Sequence, residues 1–179
     1  MTSGQSNSRP RSVDLGIHIG HLCHGPQNSI TDVEGVHVGH STIITGEGRL
    51  IPGEGPIRTG VTVVLPHTNN LYRKKIPAAC HVLNGFGKSI GLSQISDLGH
   101  IESPIALTST LNVWNVADAL VEHLSDLNNG VQSFNPIVLE SNDRFLNDAI
   151  GRHVKKQHVN DAISSASTPN IQELSLIHI

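Results

Sequence analysis

The chain has 179 residues and a net charge of −3, and its twelve lysines and arginines are scattered along the sequence. This pattern excludes the basic patch that a nucleic-acid backbone requires, so we expect no nucleic-acid partner. An apolar share of 37% with one Trp, one Tyr and three Phe predicts a single domain whose core is built from aliphatic side chains.

The first twelve residues are polar and lack an apolar segment. Residues 1–12 are therefore predicted to be a disordered tail rather than a signal peptide or a membrane anchor. No apolar run elsewhere approaches the length that crosses a bilayer, so we expect no membrane partner. Cys23 and Cys80 do not make a disulfide framework, which favours reduced thiols and a cytoplasmic protein.

Residues 14–27 contain three glycines and a proline, which predict a loop. His18, His21 and His24 are spaced three apart within it and lie close to Cys23. Imidazole and thiolate are preferred zinc ligands, but this spacing suits ligands on a helix, and the glycines argue against a helix. Solvated loop histidines are the simpler interpretation, and no metal is expected.

Five apolar runs are predicted to form strands. In the first, Val36 and Val38 alternate with polar residues, as in a half-buried strand. The second is the most β-like run of the chain and is predicted to be a central strand that ends at Pro66. The runs are 36–38, 61–65, 78–83, 104–107 and 136–139.

A glycine-rich turn follows the third run, at residues 84–89. Its ending, Gly87-Lys88-Ser89, suggests a phosphate-binding loop, but that motif needs a glycine where this sequence has Val82. Turns of this kind let the backbone approach a ligand or another strand closely. A pocket wall and a plain tight turn both fit the residues.

Two helices are predicted in the second half of the chain. The first is amphipathic and spans 111–127, with the hydroxyls of Thr108, Ser109 and Thr110 available to cap its start. Residues 128–130 are predicted to close it with a left-handed cap. The second pattern runs from Val154 to Ala166. Strands grouped early and helices later favour a layered α/β fold over a doubly wound one.

Polar residues gather directly after the last predicted strand, in the segment 140–148. Side chains at the end of a buried strand are held by the sheet and can reach a cleft, which favours a site. Asn and Asp also form turns readily, so a purely structural role fits the same residues.

Several segments, taken in order and spacing, resemble peptidase family S58, the self-processing aminopeptidases related to L-aminopeptidase/D-esterase and to the β-peptidyl aminopeptidases. The resemblance implies an αββα sandwich of the N-terminal-nucleophile-hydrolase type, incomplete in this chain. It also implies a precursor that cuts itself ahead of a serine, which then leads a second chain and attacks amino-acid amides, esters or short peptides. The matching segments are 28–40, 58–62, 84–88, 102–108, 140–143 and 146–148.

The resemblance also assigns roles to individual residues. It makes Asn142 the oxyanion donor, and it implies no cofactor and no metal. The expected partners are the second chain of the same precursor and further copies, in a homo-oligomer of heterodimers. The substrate contacts that it implies are Asn84, Lys88 and Ile90. The residues that it implies support the site are Glu140, Asp143 and Asn147.

The nucleophile of the family follows a glycine, and none of the seventeen glycines here is followed by Ser, Thr or Cys. The recognised motifs end near Ala166, which predicts one family domain at 13–168 and a non-family tail at 169–179. The last residues, 174–179, resemble the translated read-through of a transposase sequencing adapter. We therefore expect a truncated first-chain portion that is inactive alone; Thr2, exposed if Met1 is removed, is the substitute nucleophile that the sequence offers.

Two other functions fit the chain. One is a non-catalytic short paralogue that acts in binding or assembly, and the other is an acyltransferase of the ornithine acetyltransferase type, which uses threonine. Lys88 stands where β-peptidyl members have an acid that could hold the free amine of the substrate. A lysine cannot hold a cationic amine by charge, so this residue argues against aminopeptidase specificity. Ser109, Trp114 and Arg144 also depart from the family, which more often has Asn, Gly and Gly there.

Overall fold

The computed structural model describes residues 12–168. The predicted tail up to residue 11, the alternative nucleophile Thr2 and the segment 169–179 lie outside the described residues. Three short 3₁₀ turns, Val13–Leu15, Ile30–Asp32 and Thr110–Asn112, supplement the main elements. These main elements are β1 (His37–Thr45), β2 (Ile57–Leu65), β3 (Ile76–Pro77), α1 (Leu92–Leu98), β4 (His100–Ile101), β5 (Ile105–Ser109), α2 (Val113–Leu127), β6 (Ile137–Ser141) and α3 (Lys156–Ser164).

The main sheet has four strands in the order β1-β2-β5-β6. The β1–β2 and β2–β5 pairs are antiparallel, whereas β5 and β6 are parallel and are connected through α2. Because parallel strands end at the same edge of a sheet, the segments that follow Ser109 and Ser141 come together there. This edge carries the candidate site.

Helices α2 and α3 cover one face of the sheet, with α3 over β1 and β2 and α2 over β5 and β6. Gly39 allows α3 to approach closely, since a Cβ at this position would lie 1.8 Å from the carbonyl oxygen of Ala162. The buried side chains between these layers are aliphatic, as the composition predicted: Val61, Val63, Ala106, Val113, Val116, Ala117, Ala119, Leu120, Val138, Val154, Val159 and Ala162.

The opposite face of the sheet has a smaller cluster around Ile95, Ile101 and Ile137, beneath α1 and the β3–β4 ribbon. The layered α/β class is therefore confirmed. Within residues 12–168 it consists of one helix layer on one main sheet, and α1 with the β3–β4 ribbon packs on part of the other face.

The strongest periodic patterns were predicted correctly. Strand β2 lies between β1 and β5, as expected of a central strand, and α2 and α3 form where the amphipathic patterns place helices. The third predicted strand, 78–83, is wrong, because this run is irregular and Val82 and Leu83 are 54% and 87% exposed. Pairing with β4 is confined to Ile76–Pro77, so the apolar run that follows has no partner strand.

Both predicted caps of α2 are also wrong. Its N-cap is Asn112, which makes no side-chain cap because its Oδ1 accepts from Val154 N. The hydroxyls expected to cap the helix are bonded elsewhere: Thr108 Oγ1 donates to Gly60 O, Ser109 Oγ accepts from Asn112 Nδ2, and Thr110 Oγ1 donates to Glu140. At the other end Asn128 has φ −133°, so the first left-handed residue is Gly130. Asn128 instead donates its side-chain amide to Leu124 O at 2.9 Å, which satisfies the last turn directly.

Candidate functional site

A cavity of about 320 Å³ lies at the edge where β5 and β6 end. It is formed by four segments of the chain, the loop before β2, the glycine-rich turn, the start of the 3₁₀ turn before α2, and the segment after β6. Its volume falls near the lower limit of small-ligand pockets, about 300 to 1,000 Å³. The lining residues are Leu50, Pro52, Phe86, Lys88, Thr110, Leu111, Glu140, Asn142, Arg144, Asn147, Asp148, Ala149 and Ile150.

Glu140, near the end of β6, connects two walls of this cavity. Its Oε1 accepts a hydrogen bond from Thr110 Oγ1 at 2.8 Å, and its Oε2 accepts one from the backbone N–H of Lys88 at 2.5 Å. Hydrogen bonds to a carboxylate are stronger than those between neutral groups. Glu140 therefore fixes the glycine-rich turn against the 3₁₀ turn before α2.

Asn142 is the first exposed residue after β6. Its Oδ1 accepts a hydrogen bond from the backbone N–H of Arg144 at 3.2 Å, which is the geometry of an Asx turn. The side-chain nitrogen, Nδ2, has no acceptor among residues 12–168, and Asn142 is one of the residues that line the cavity. The turn thus occupies the accepting end of Asn142 and leaves its donating end for a ligand.

Two contacts fix the segment after Asn142 to β2. Asp143 Oδ2 accepts from Thr59 Oγ1 at 2.7 Å, and Asn147 Oδ1 accepts from the backbone N–H of Arg58 at 2.9 Å. Burial raises the pKa of Asp143, and the Thr59 hydrogen bond opposes that rise. Asn147 is only 1% exposed, so its side chain is a structural anchor in the wall of the cavity.

Asp148 holds the remaining wall. Although 1% exposed, its carboxylate is satisfied by the backbone N–H of Gly53 at 2.8 Å and by His153 Nε2 at 2.9 Å. Burial raises the pKa of Asp148, but these hydrogen bonds together outweigh burial and the pKa is lowered. The ionised carboxylate therefore joins the loop before β2 to the segment after β6.

The structure brings together most of the residues that the sequence singled out. Glu140, Asn142, Asn147 and Lys88 line the cavity, and Asp143 supports it through Thr59.

Two other predicted residues lie elsewhere. Asn84 lines a second cavity, and its Oδ1 accepts from Phe86 N at 3.0 Å. Ile90 pairs its backbone with Val138 and packs its side chain against the core. Their predicted substrate contacts are not part of the cavity beside Asn142.

Sequence reasoning missed Thr59, Thr110 and Asp148 as parts of the site. Thr110 could have been found, because polar residues that follow two neighbouring parallel strands meet at one edge. Asp148 lies inside the matched segment 146–148, but its partners Gly53 and His153 carry no local signal.

The other candidate groups remain separate from this cavity. His18, His21 and His24 are exposed, and residues 12–168 contain no cluster of three or more His, Cys, Asp or Glu that could hold a metal ion. Both cysteines are free thiols, with Cys23 exposed and Cys80 partly buried. None of the helices in the described part of the chain is both long and apolar enough to cross a membrane.

Comparison with known proteins gives a consistent family relationship. Residues 28–175 match the model of peptidase family S58. The β-peptidyl aminopeptidase BapA of Sphingosinicella microcystinivorans is 38% identical over 173 residues, covering 97% of this chain and 43% of that protein. BapA of Sphingosinicella xenopeptidilytica is 35% identical over 173 residues, covering 92% of this chain and 41% of that protein.

Solved structures show the same relationship. The PH0078 protein of Pyrococcus horikoshii OT3 aligns with a TM-score of 0.85 and 47% identity, over 90% of this chain and 47% of its own. The Burkholderia sp. β-aminopeptidase aligns with a TM-score of 0.83 and 41% identity, over 92% of this chain and 45% of its own. The L-aminopeptidase D-Ala-esterase/amidase of Ochrobactrum anthropi aligns with a TM-score of 0.78 and 34% identity, over 92% of this chain and 47% of its own. That protein is described as a variant of the Ntn hydrolase fold. The chain thus spans less than half the length of each of these relatives.

Proposed function

The chain belongs to peptidase family S58, and on that basis we propose that it is the first-chain portion of a self-processing serine aminopeptidase or amidohydrolase. Its substrates are amino-terminal amino-acid amides, esters or short peptides. The observation that carries this proposal is the side chain of Asn142, which lines the cavity at the end of β6. Its Oδ1 accepts from Arg144 N, while its Nδ2 has no acceptor among residues 12–168.

The role of Asn142 is to stabilise the charge that forms when a serine hydroxyl attacks the substrate carbonyl. The new C–O bond places negative charge on the carbonyl oxygen, and Asn142 Nδ2 donates a hydrogen bond to that oxygen. The serine proton passes to the free α-amine of the same residue and then to the leaving amine or alcohol as the scissile bond breaks. Water hydrolyses the resulting acyl-enzyme ester and restores the serine.

The contacts around Asn142 support this role because an oxyanion donor is effective only when it is already in place. Glu140 fixes the strand end before it, and Asp143 and Asn147 fix the segment after it to β2. A side chain held from both sides loses little freedom on binding the transition state, which favours a catalytic role over a simple turn.

The attacking serine is not supplied by this chain, since no glycine in the sequence precedes Ser, Thr or Cys. It comes instead from the second chain of the same precursor, with which this portion assembles in the cytoplasm into a homo-oligomer of heterodimers. The 179-residue chain alone is catalytically inactive.

A chimera tests the proposal. Residues 13–168 are joined to the part of the Burkholderia sp. β-aminopeptidase that lies beyond the match, and the chimera and the 179-residue chain are compared on amino-acid p-nitroanilides. We expect the chimera to be cut into two chains and to release p-nitroaniline, and the chain alone to release none.

Two results would overturn the proposal. Turnover by the chain alone at the rate of the intact Burkholderia sp. enzyme would contradict its inactivity. A folded and correctly cut chimera without turnover would contradict the site and favour the alternative of a non-catalytic binding or assembly protein.

A further inference from the structure

Two cationic side chains, Lys88 and Arg144, line the cavity beside Asn142. Arg144 is exposed and Lys88 is half-buried. Neither forms a salt bridge with any of the residues from 12 to 168. Their charges are therefore not neutralised by a direct partner in the described part of the chain.

Each of these cations lies over a phenylalanine ring. Lys88 Nζ is 4.0 Å from the ring centroid of Phe86 and donates to Phe86 O at 2.8 Å, and Arg144 Cζ is 4.9 Å from the ring centroid of Phe145. Both rings are exposed, by 79% and 78%. Stacking on a ring restricts each cation without using all of its N–H groups, since an ammonium has three donors and a guanidinium has five.

The two carboxylates in the same lining are already occupied by protein donors. Both oxygens of Glu140 accept hydrogen bonds, from Lys88 N and Thr110 Oγ1, and both oxygens of Asp148 accept from Gly53 N and His153 Nε2. Asp148 is also almost fully buried. The oxygens of both carboxylates thus already accept hydrogen bonds, whereas the side chains of Lys88 and Arg144 keep N–H groups that can donate to an anion.

We propose that Lys88 and Arg144 form an anion subsite beside Asn142 that binds a carboxylate of the substrate. This inference rests on the proposed function and narrows its substrate class. The preferred substrates are short peptides or amino-acid amides that carry a carboxylate, from either a peptide C-terminus or an acidic side chain. A cavity of about 320 Å³ accommodates a molecule of dipeptide size.

Calorimetric titration of the 179-residue chain tests this subsite without requiring turnover. The probes are L-alanyl-L-alanine, its C-terminal amide, and L-alanyl-L-glutamic acid α-amide, which restores a carboxylate through a side chain. We expect the dipeptide to bind about tenfold more tightly than its amide at low salt, as one charge-assisted interaction provides. The difference is expected to shrink as the ionic strength rises.

Two variants make this comparison specific. The double variant Lys88→Gln, Arg144→Gln is expected to bind the dipeptide and its amide equally. Arg73→Gln, which removes an exposed cation outside the cavity, is expected to retain the wild-type difference. Circular dichroism verifies that each variant keeps the fold.

The possible outcomes separate the subsite from the function on which it rests. Equal wild-type affinity for dipeptide and amide, or no binding of any probe, overturns the subsite. So does a preference that survives in the double variant. None of these results affects the cutting and turnover of the chimera, which test the proposed function independently. Tight binding of the glutamate amide shows that a side-chain carboxylate serves, whereas weak binding assigns the subsite to the peptide C-terminus.

Discussion

Thr59 Oγ1 donates a 2.7 Å hydrogen bond to Asp143 Oδ2, joining the buried part of β2 to the residue that follows Asn142. The two residues are 84 positions apart in the sequence. Beside this contact Asn147 Oδ1 accepts from Arg58 N at 2.9 Å, so two neighbouring positions of β2 hold the same segment. The position of Asn142 thus depends on the central strand of the sheet.

Replacement of Thr59 by valine is expected to lower the free energy of unfolding by about 1 to 3 kcal/mol, because the half-buried Asp143 loses a donor without a change in side-chain shape. Urea unfolding at pH 7 measures this effect. The matched control is Thr42→Val at an exposed position of β1, with an expected change within about 0.5 kcal/mol. Equal effects of the two substitutions would contradict the structural role of the Thr59–Asp143 bond.

The free energy of unfolding of the Asp143→Asn variant is expected to rise relative to that of the wild type as the pH rises. Burial raises the pKa of Asp143, so the folded state prefers the neutral carboxyl. The contribution of Asp143 is therefore fully present below its unfolded pKa and is lost as the pH rises through the folded pKa. Unfolding free energies of both proteins between about pH 4 and pH 7 reveal the trend. A difference that stays constant over this range would be inconsistent with a raised pKa.

Asp148→Asn is expected to show the opposite dependence. Hydrogen bonds from Gly53 and His153 outweigh burial and lower the pKa of Asp148. Its contribution is therefore present above the unfolded pKa and is lost as the pH falls through the folded pKa. The substitution is expected to cost about 1 to 3 kcal/mol at pH 7 and less below about pH 4. The same titration series, run on both Asn variants, provides the comparison, and parallel curves for the two would refute this pair of assignments.

Glu140→Ala is expected to release the glycine-rich turn from the sheet edge. The backbone N–H of Lys88 donates to Glu140 Oε2, so its hydrogen exchange is expected to accelerate about tenfold or more in the variant. The N–H of Ile90 donates to Val138 O at 2.8 Å and serves as the internal control, with unchanged exchange. Unaltered exchange at Lys88 would show that Glu140 does not hold the turn.

Local patterns in the sequence predicted the elements that bury a regular face. The β-like run around Val63 and the three-and-four spacing around Leu120 are such patterns, and both residues are fully buried. The run 78–83 failed because an apolar composition forms a strand only where a partner strand is present. The caps of α2 failed because Thr110 Oγ1 donates to Glu140, which is distant in the sequence, and because Asn128 satisfies the last turn with its own side chain.

For the site, the rule that side chains at a strand end reach a cleft placed Asn142 and Glu140 correctly at the cavity. The same rule could not identify Thr59 or Gly53, because their contacts with Asp143 and Asp148 join segments that come together only in the fold. Departures from the family pattern at two charged positions identified further residues of the cavity. The sequence singled out Lys88 and Arg144 as departures from the family, and the structure places both in one cavity.

The most direct test of the central claim is the turnover number of the chimera with Asn142→Asp. Aspartate keeps the oxygen that accepts from Arg144 N and therefore keeps the Asx turn, but it has no N–H to donate to an oxyanion. Asn129→Asp, at an exposed position distant from the cavity, is the matched control. If Asn142 is the oxyanion donor, kcat is expected to fall by about two to three orders of magnitude while the control keeps its activity. A fall of less than about threefold would show that Asn142 is only a turn residue and would contradict the proposed site.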